Sequence, residues 1–225
     1  MAPHPDDEVV GCGGLISKVK NAGGRVYVLY LAVGDTKDFT KRGISTGNER
    51  VKEIEKVVRY LKIDGYDLVF KGNEYHLKLD LLGQKKIMDA IERKSSVSLE
   101  KIKPTMICIP PINSYNQDHR IATEAAHASL RPASQDDKHF VKYVLSYEEP
   151  SDSWSMREKI EPNFFIKLSK KDLDAKIEAM NLYKSQARTG YNTRSSKTFK
   201  NLANLRGAQT GTEMAEAYLI YRMVV

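Results

Sequence analysis

Short runs of consecutive apolar residues alternate along this chain with longer stretches in which apolar positions recur every three or four residues, the pattern of strands feeding crossover helices. The first run, residues 26–33, follows the Gly23-Gly24 turn and predicts a strand. A polar loop over 34–47 leads to Val51, Ile54, Val58 and Leu61, which share one helical face. Residues 67–70 predict a second strand, and 82–91 a helix with Leu82, Ile87, Ala90 and Ile91 inward. Pro104 punctuates the chain before a buried strand at 105–109, which runs into the Pro110-Pro111 loop. Asp118 or its neighbours open the next helix. Its Ala122, Ala125, Ala126 and Leu130 form a small-residue face, and Arg131-Pro132 ends it. Residues 143–147 predict a strand and 172–186 a helix with Leu173, Ile177 and Met180 inward, while Leu202, Leu205 and the segment 214–225 complete the domain. There is no repeat and no long linker, so residues 1–225 read as a single domain. Repeated β-then-α order predicts a three-layer α/β/α, Rossmann-like fold with a mostly parallel sheet, whose ligands gather beyond the C-terminal strand ends.

Composition narrows the class. With 41% hydrophobic and 29% charged residues, the 225-residue chain matches ordinary globular usage and is long enough to bury a core without staples. No apolar run approaches the roughly 18 to 20 residues of a membrane span, and the N-terminus offers no signal-peptide core, so a cytoplasmic location is expected. The two cysteines, Cys12 and Cys108, exclude a disulfide scaffold and a four-cysteine zinc module. The net charge of +7 is spread along the chain, which favours anionic ligands in general and argues little for nucleic acid.

Two clusters carry candidate chemistry. Ala2-Pro3-His4-Pro5-Asp6-Asp7-Glu8 places one imidazole and three carboxylates just before Gly11-Cys12-Gly13-Gly14. Proline and acidic residues also crowd the first turn of ordinary helices, so this run alone admits a purely structural reading. The second cluster, Asn116-Gln117-Asp118-His119-Arg120, follows the 105–109 strand, and a lone histidine near a helix start is commonly structural too. Taken together, His4, Asp7 and His119 supply two imidazoles and one carboxylate, a set that leaves coordination positions open for water and substrate. Asp6, adjacent but pointing differently, is then free to act as a base.

These residues resemble the PIG-L/LmbE-like zinc-dependent N-deacetylases. Pro3-His4-Pro5-Asp6-Asp7-Glu8 with the following glycines looks like that family's opening signature, and Asp118-His119 like its second metal motif. Gly34-Asp35, Arg50-x-x-Glu53, Tyr147-Glu148-Glu149-Pro150 with Trp154, Tyr183-Lys184-Ser185-Gln186, Arg206-Gly207 and Ala215-Glu216-Ala217-Tyr218 extend the match over nearly the whole chain. The resemblance implies His4, Asp7 and His119 as ligands of Zn²⁺, with Fe²⁺ as another divalent ion that would suit them. It also implies Asp6 as general base and Arg50 as a substrate contact. Many relatives carry a histidine where this chain has Asn116, and others carry asparagine. A neutral amide donor to the oxyanion is therefore expected at Asn116, with Asp118 orienting the loop. The implied reaction removes an N-acetyl group from an N-acetylaminosugar or its conjugate, free, phosphorylated or nucleotide-linked; a homo-oligomer is left open. The family's first motif follows a buried strand, whereas only residues 1–3 precede His4 here, so a shortened start is expected, with a Val/Ile/Leu-rich run upstream.

The remaining candidates read as structural. His76 and His127 stand alone, His139 follows Asp136-Asp137-Lys138 in a solvated loop, and Cys12 reads as a small packed residue. Around residues 191–200, Arg188, Arg194, Lys197 and Lys200 suit either guanidinium groups over a phosphate or a solvated basic loop. Two other classes remain. A two-histidine, one-carboxylate site also serves non-haem iron oxygenases, although their usual frame is a β-rich jelly roll. A binding protein for sugar phosphates or nucleic acid would need no metal.

Overall fold

The computed structural model describes residues 1–225 other than Phe39, Gln135 and Ile160. Helix α1 (Asp7–Asn21) opens the fold and is buried on every side from Asp7 to Ser17. Glycine weakens a helix interior by about 1 kcal/mol relative to alanine. Here it permits contact instead: a Cβ on Gly11 would run into the Tyr147 ring, and one on Gly14 into Leu168. Strand β1 (Tyr27–Val33) pairs in parallel with β4 (Gly65–Lys71), and between them lie the short hairpin β2 (Thr36–Lys37) and β3 (Ile44–Ser45) and helix α2 (Gly47–Tyr60). A capping box of Thr46 and Glu49 fixes the start of α2. After a 3-10 turn at Leu79–Leu82, Gly83 takes a positive φ and restarts the chain as α3 (Gln84–Asp89), which runs on as a π turn through Lys94. The helix expected over 82–91 is thus divided at its first residues. Helix α4 (Leu99–Ile102) leads to β5 (Met106–Ile109), α5 (Gln117–Ser129) and β6 (Tyr143–Tyr147). Strand β7 (Phe164–Lys167), α6 (Lys170–Leu182), α7 (Ser196–Gln209) and β8 (Ala215–Met223) complete the chain.

Strands β5-β6-β8-β7 form one sheet, in which β5 and β6 are parallel and β8 is antiparallel to both its neighbours. Two cores lie on opposite faces, as a three-layer fold requires. One gathers Val9, Leu15, Ile54, Leu173, Met180 and Phe199 from α1, α2, α6 and α7, and the other Ile87, Ile91, Ala122, Ala125 and Ala126 from α3, its π turn and α5. Helix α6 stops at Leu182, short of the expected residue 186, because the next side chains are held elsewhere. Tyr183 donates its hydroxyl to Glu8 at 2.6 Å, and Ser185 donates its amide and hydroxyl to Glu53 at 2.9 and 2.6 Å.

Residues 1–3 sit between the two parallel pairs. Ala2 donates to Leu29 O and accepts from Leu31 N, both at 2.9 Å, forming a parallel bridge opposite Tyr30, while the Met1 ammonium donates to Cys108 O at 2.8 Å. Below them a groove of about 450 Å³ opens between β1 and β5, lined by Leu15, Val19, Val28, Leu99 and Ile107. The bridge holds residues 4–7 where β1, β4, β5 and β6 all end. No helix among the described residues is long and apolar enough to cross a membrane.

Candidate metal centre and active site

Asp118 organises the centre. Fully buried in the first turn of α5, it accepts from Leu79 N at 3.0 Å through one oxygen and meets His4 Nε2 at 2.9 Å through the other. A carboxylate only accepts, so the ring proton of a neutral His4 lies on Nε2 and its Nδ1 lone pair turns toward Asp7 Oδ2, 3.6 Å away. The same Asp7 oxygen accepts from His4 N at 2.8 Å and lies 3.2 Å from His119 Nε2. Ligand-capable atoms of His4, Asp7 and His119 all lie within 4.8 Å of one another. Asp7 Oδ1 is buried and has no hydrogen-bond partner among the described residues. Two imidazoles and one carboxylate, one of whose oxygens has no partner among the described residues, fit a divalent transition ion. Burial opposes the charge on Asp7, yet His119 and His4 outweigh it and hold the carboxyl well below its usual range. Burial likewise opposes a proton on His119, but Asp7 and Glu149 keep its imidazole up at about 10, as metal-free ligands would be.

Asp6 is held apart from this set. It precedes α1 at φ 105°, a strained conformation for a residue with a Cβ, and its carboxylate receives Arg194 Nε at 2.6 Å. Burial raises its pKa, against the pull of Arg194. Its amide donates to Glu8, whose own carboxyl burial pushes up to about 7.

Arg50 is buried, with Nη1 3.1 Å from His76 Nε2 and 3.4 Å from Gly34 O, and Nη2 3.5 Å from Pro5 O. Guanidinium can only donate, so His76 accepts through Nε2 and carries its proton on Nδ1, which has no partner among the described residues. Burial and Arg50 lower the His76 pKa to about 3, keeping the ring neutral, and it packs edge-on to His4 with centroids 5.3 Å apart. Asn116 caps α5, its Oδ1 accepting from Asp118 N at 3.0 Å, and its amide nitrogen makes no hydrogen bond to a described residue.

The structure therefore brings together His4, Asp6, Asp7, Asp118 and His119, with Arg50 and Asn116 at the margins. His76 keeps the structural role expected of it, here in the wall beside His4 and Arg50, and Arg194 is placed on Asp6. Glu149 and Asp152, just after β6, also reach His119. Glu149 lies in the Tyr147-Glu148-Glu149-Pro150 match, whereas for Asp152 the only sequence signal was its position after a strand that ends at the site. His127 and His139 lie elsewhere, against Tyr221 and Pro104 O.

The sequence profile of the GlcNAc-PI de-N-acetylases, PIG-L, matches residues 1–130, more than half of the chain. The chain belongs to this family. No curated protein matches this PIG-L family member significantly. Among solved structures it is similar to a conserved protein of Thermus thermophilus, at TM-score 0.73 and 24% identity over 100% of this chain and 94% of that one. It is also similar to the N,N'-diacetylchitobiose deacetylase of Pyrococcus horikoshii, at 0.70 and 18% over 97% and 81%. A third similar structure is the 4-carboxy-2-hydroxymuconate hydratase GalB of a Pseudomonas, at 0.66 and 18% over 100% and 95%. At these identities the likeness concerns the fold.

Proposed function

We propose that this PIG-L family member is a metal-dependent N-deacetylase that hydrolyses the N-acetyl group of an N-acetylaminosugar or its conjugate, releasing acetate and a free amine in the cytoplasm. The observation that carries the reading is Asp7, whose Oδ2 lies between two imidazoles and whose buried Oδ1 has no hydrogen-bond partner among the described residues, beside a second carboxylate, Asp6, that pairs with Arg194. Membership of a family named for de-N-acetylation supports an acetamide as the bond cleaved.

His4, Asp7 and His119 would hold Zn²⁺, with Fe²⁺ as the other ion the donors suit. When bound, such an ion polarises a carbonyl and lowers the pKa of water from about 15.7 toward about 7. Asp6 takes the proton of the attacking water and, because Asn116 does not titrate, returns it to the amine nitrogen as the C–N bond breaks. The Asn116 amide donates to the developing oxyanion, an interaction worth about 2.7–4 kcal/mol when well placed. Arg50 fixes Gly34, Pro5 and His76.

The similarity to GalB favours a second reading, a hydratase reaction on the same frame. An acetate-release screen of the zinc-loaded protein over free, phosphorylated and nucleotide-linked N-acetylaminosugars separates the two. Deacetylation gives acetate and primary amine in equal amounts from at least one of them. A silent panel, with hydration of an unsaturated acid by the same preparation, overturns the reading.

A further inference from the structure

The imidazole of His119 has carboxylates at both of its nitrogens. Nε2 faces Asp7, while Nδ1 lies 3.7 Å from Glu149 Oε1, too far for a hydrogen bond. His119 Nδ1, Glu149 Oε1 and Asp152 Oδ2 are all buried without a hydrogen-bond partner among the described residues. One ligand-capable atom from each of the three residues lies within 4.8 Å of the others. The residues are 3%, 4% and 9% exposed, so water outside the protein does not satisfy them.

Their positions are built rather than accidental. Asp152 accepts from Ser114 Oγ at 2.7 Å through its other oxygen, and its amide donates to Glu149 O at 3.1 Å across the turn that follows β6. A groove of about 430 Å³ between this turn, α7 and β8 reaches both carboxylates and is lined further by Asn113, Arg206 and Tyr221. Arg194 hydrogen-bonds to Asp6 and not to either of these carboxylates. Buried carboxylate oxygens without hydrogen-bond partners take up a proton or a cation. One imidazole and two carboxylates, each with a buried atom that has no hydrogen-bond partner among the described residues, offer donors that suit a divalent transition ion.

We propose that His119 Nδ1, Glu149 and Asp152 form a second divalent-cation site, loaded from the groove beside β8 and sharing the His119 imidazole with the centre of His4 and Asp7. It rests on the reading of His119 Nε2 as a ligand of the first ion. A second ion held there would replace the Nδ1 proton, released to solvent, and would compete with Asp7 for the shared ring. The first ion's charge, transmitted through the ring, makes the second site the weaker. Excess metal therefore lowers turnover, and this site is where it acts.

Equilibrium dialysis of the full-length protein against increasing Zn²⁺, with metal analysis, tests this directly. The wild type should bind one ion tightly and a second at higher concentration. Asp152→Asn should keep the first and loosen the second on the order of 10–100-fold, as lost metal-site partners do. The ratio of turnover at excess zinc to turnover at stoichiometric zinc should fall below one in the wild type and stay near one in Asp152→Asn. Glu149→Gln provides the same readout should Asp152→Asn fail to fold. Saturation at a single ion per chain, or a second ion held equally tightly by both variants, overturns the proposal while leaving the first site standing. A chain that binds no ion at all overturns the proposed function as well.

Discussion

Asp118→Asn is nearly isosteric, yet it reverses the polarity of one side-chain atom at a fully buried position that serves two donors, Leu79 N at 3.0 Å and His4 Nε2 at 2.9 Å. An amide can accept from only one of them. If its oxygen stays on Leu79 N, its NH₂ meets His4 Nε2, favours the other tautomer and puts a proton on Nδ1 where the lone pair should face the metal. If it turns to His4, the Leu79 amide is left buried and unpaired, at about 1–3 kcal/mol. Loss of a carboxylate that orients a ligating histidine weakens metal binding about 10–100-fold, or about 1.4–2.8 kcal/mol at 1.4 kcal/mol per factor of ten. Competition with a chromophoric chelator at neutral pH gives the zinc affinity, and metal-free melting gives the fold's share, about 2–4 °C per kcal/mol for a chain of this size. A variant with wild-type zinc affinity and only a lowered melting temperature would refute the role assigned to Asp118.

Arg194→Ala removes the cation that favours ionised Asp6, so the acid limb of kcat/KM should move to higher pH. A pair at about 4 Å is worth about 4 kcal/mol at an effective dielectric of 20, and discounting for a partly exposed guanidinium leaves a shift of about 1–2 pH units at 1.36 kcal/mol each. An unmoved limb with intact high-pH rate would contradict the pairing. Away from the site, burial opposes the charge of Glu92 but Lys138, Arg131 and Arg93 bring its pKa down to about 2. Its stabilisation should be full above its unfolded pKa of about 4.3 and vanish as pH falls through about 2. Denaturant titrations of Glu92→Gln should then show a deficit of about 1–3 kcal/mol at pH 7 that closes in acid, and a deficit independent of pH would oppose this account. Fusing five valine and isoleucine residues ahead of Met1 should fill the groove between β1 and β5 and raise the melting temperature. Burying aliphatic chains at about 1.5–3 kcal/mol each outweighs ordering residues at about 1–2 kcal/mol each; an unchanged or lower value would show that the groove takes no strand.

The alternation of apolar runs and helical periodicity located β1, β4, β6, α2, α5 and α6, because each buries a continuous or one-sided apolar set, and β5 as well, although of its four residues only Ile109 is buried and Met106 is exposed. It did not resolve β7, Phe164–Lys167, whose four residues sit at the sheet edge and carry too short a pattern. At the site, the grouping of His4 and Asp7 with His119 was legible because two dense motifs follow one another at strand ends. The placement of His76, Arg194, Glu149 and Asp152 at this site was not, although Arg194 and Glu149 are singled out by the sequence, because each lies on a loop and only the fold decides which loops meet. The later family matches gained physical content from contacts: Glu53 holds Ser185, Arg206 pairs with Glu148, and Glu216 receives Gly14 N, Leu15 N and Lys176 Nζ at 2.9, 2.7 and 2.7 Å.

The division of labour between Asp6 and Asp7 is the centre of the account, and zinc content measured beside acetate release in wild type, Asp6→Asn and His119→Ala tests it most directly. Asp6→Asn should retain the tight zinc ion while turnover falls by about 10²–10⁴-fold or more, as for a lost general base, and His119→Ala should lose both. Loss of zinc together with activity in Asp6→Asn, or full turnover in a zinc-free His119→Ala, would contradict it.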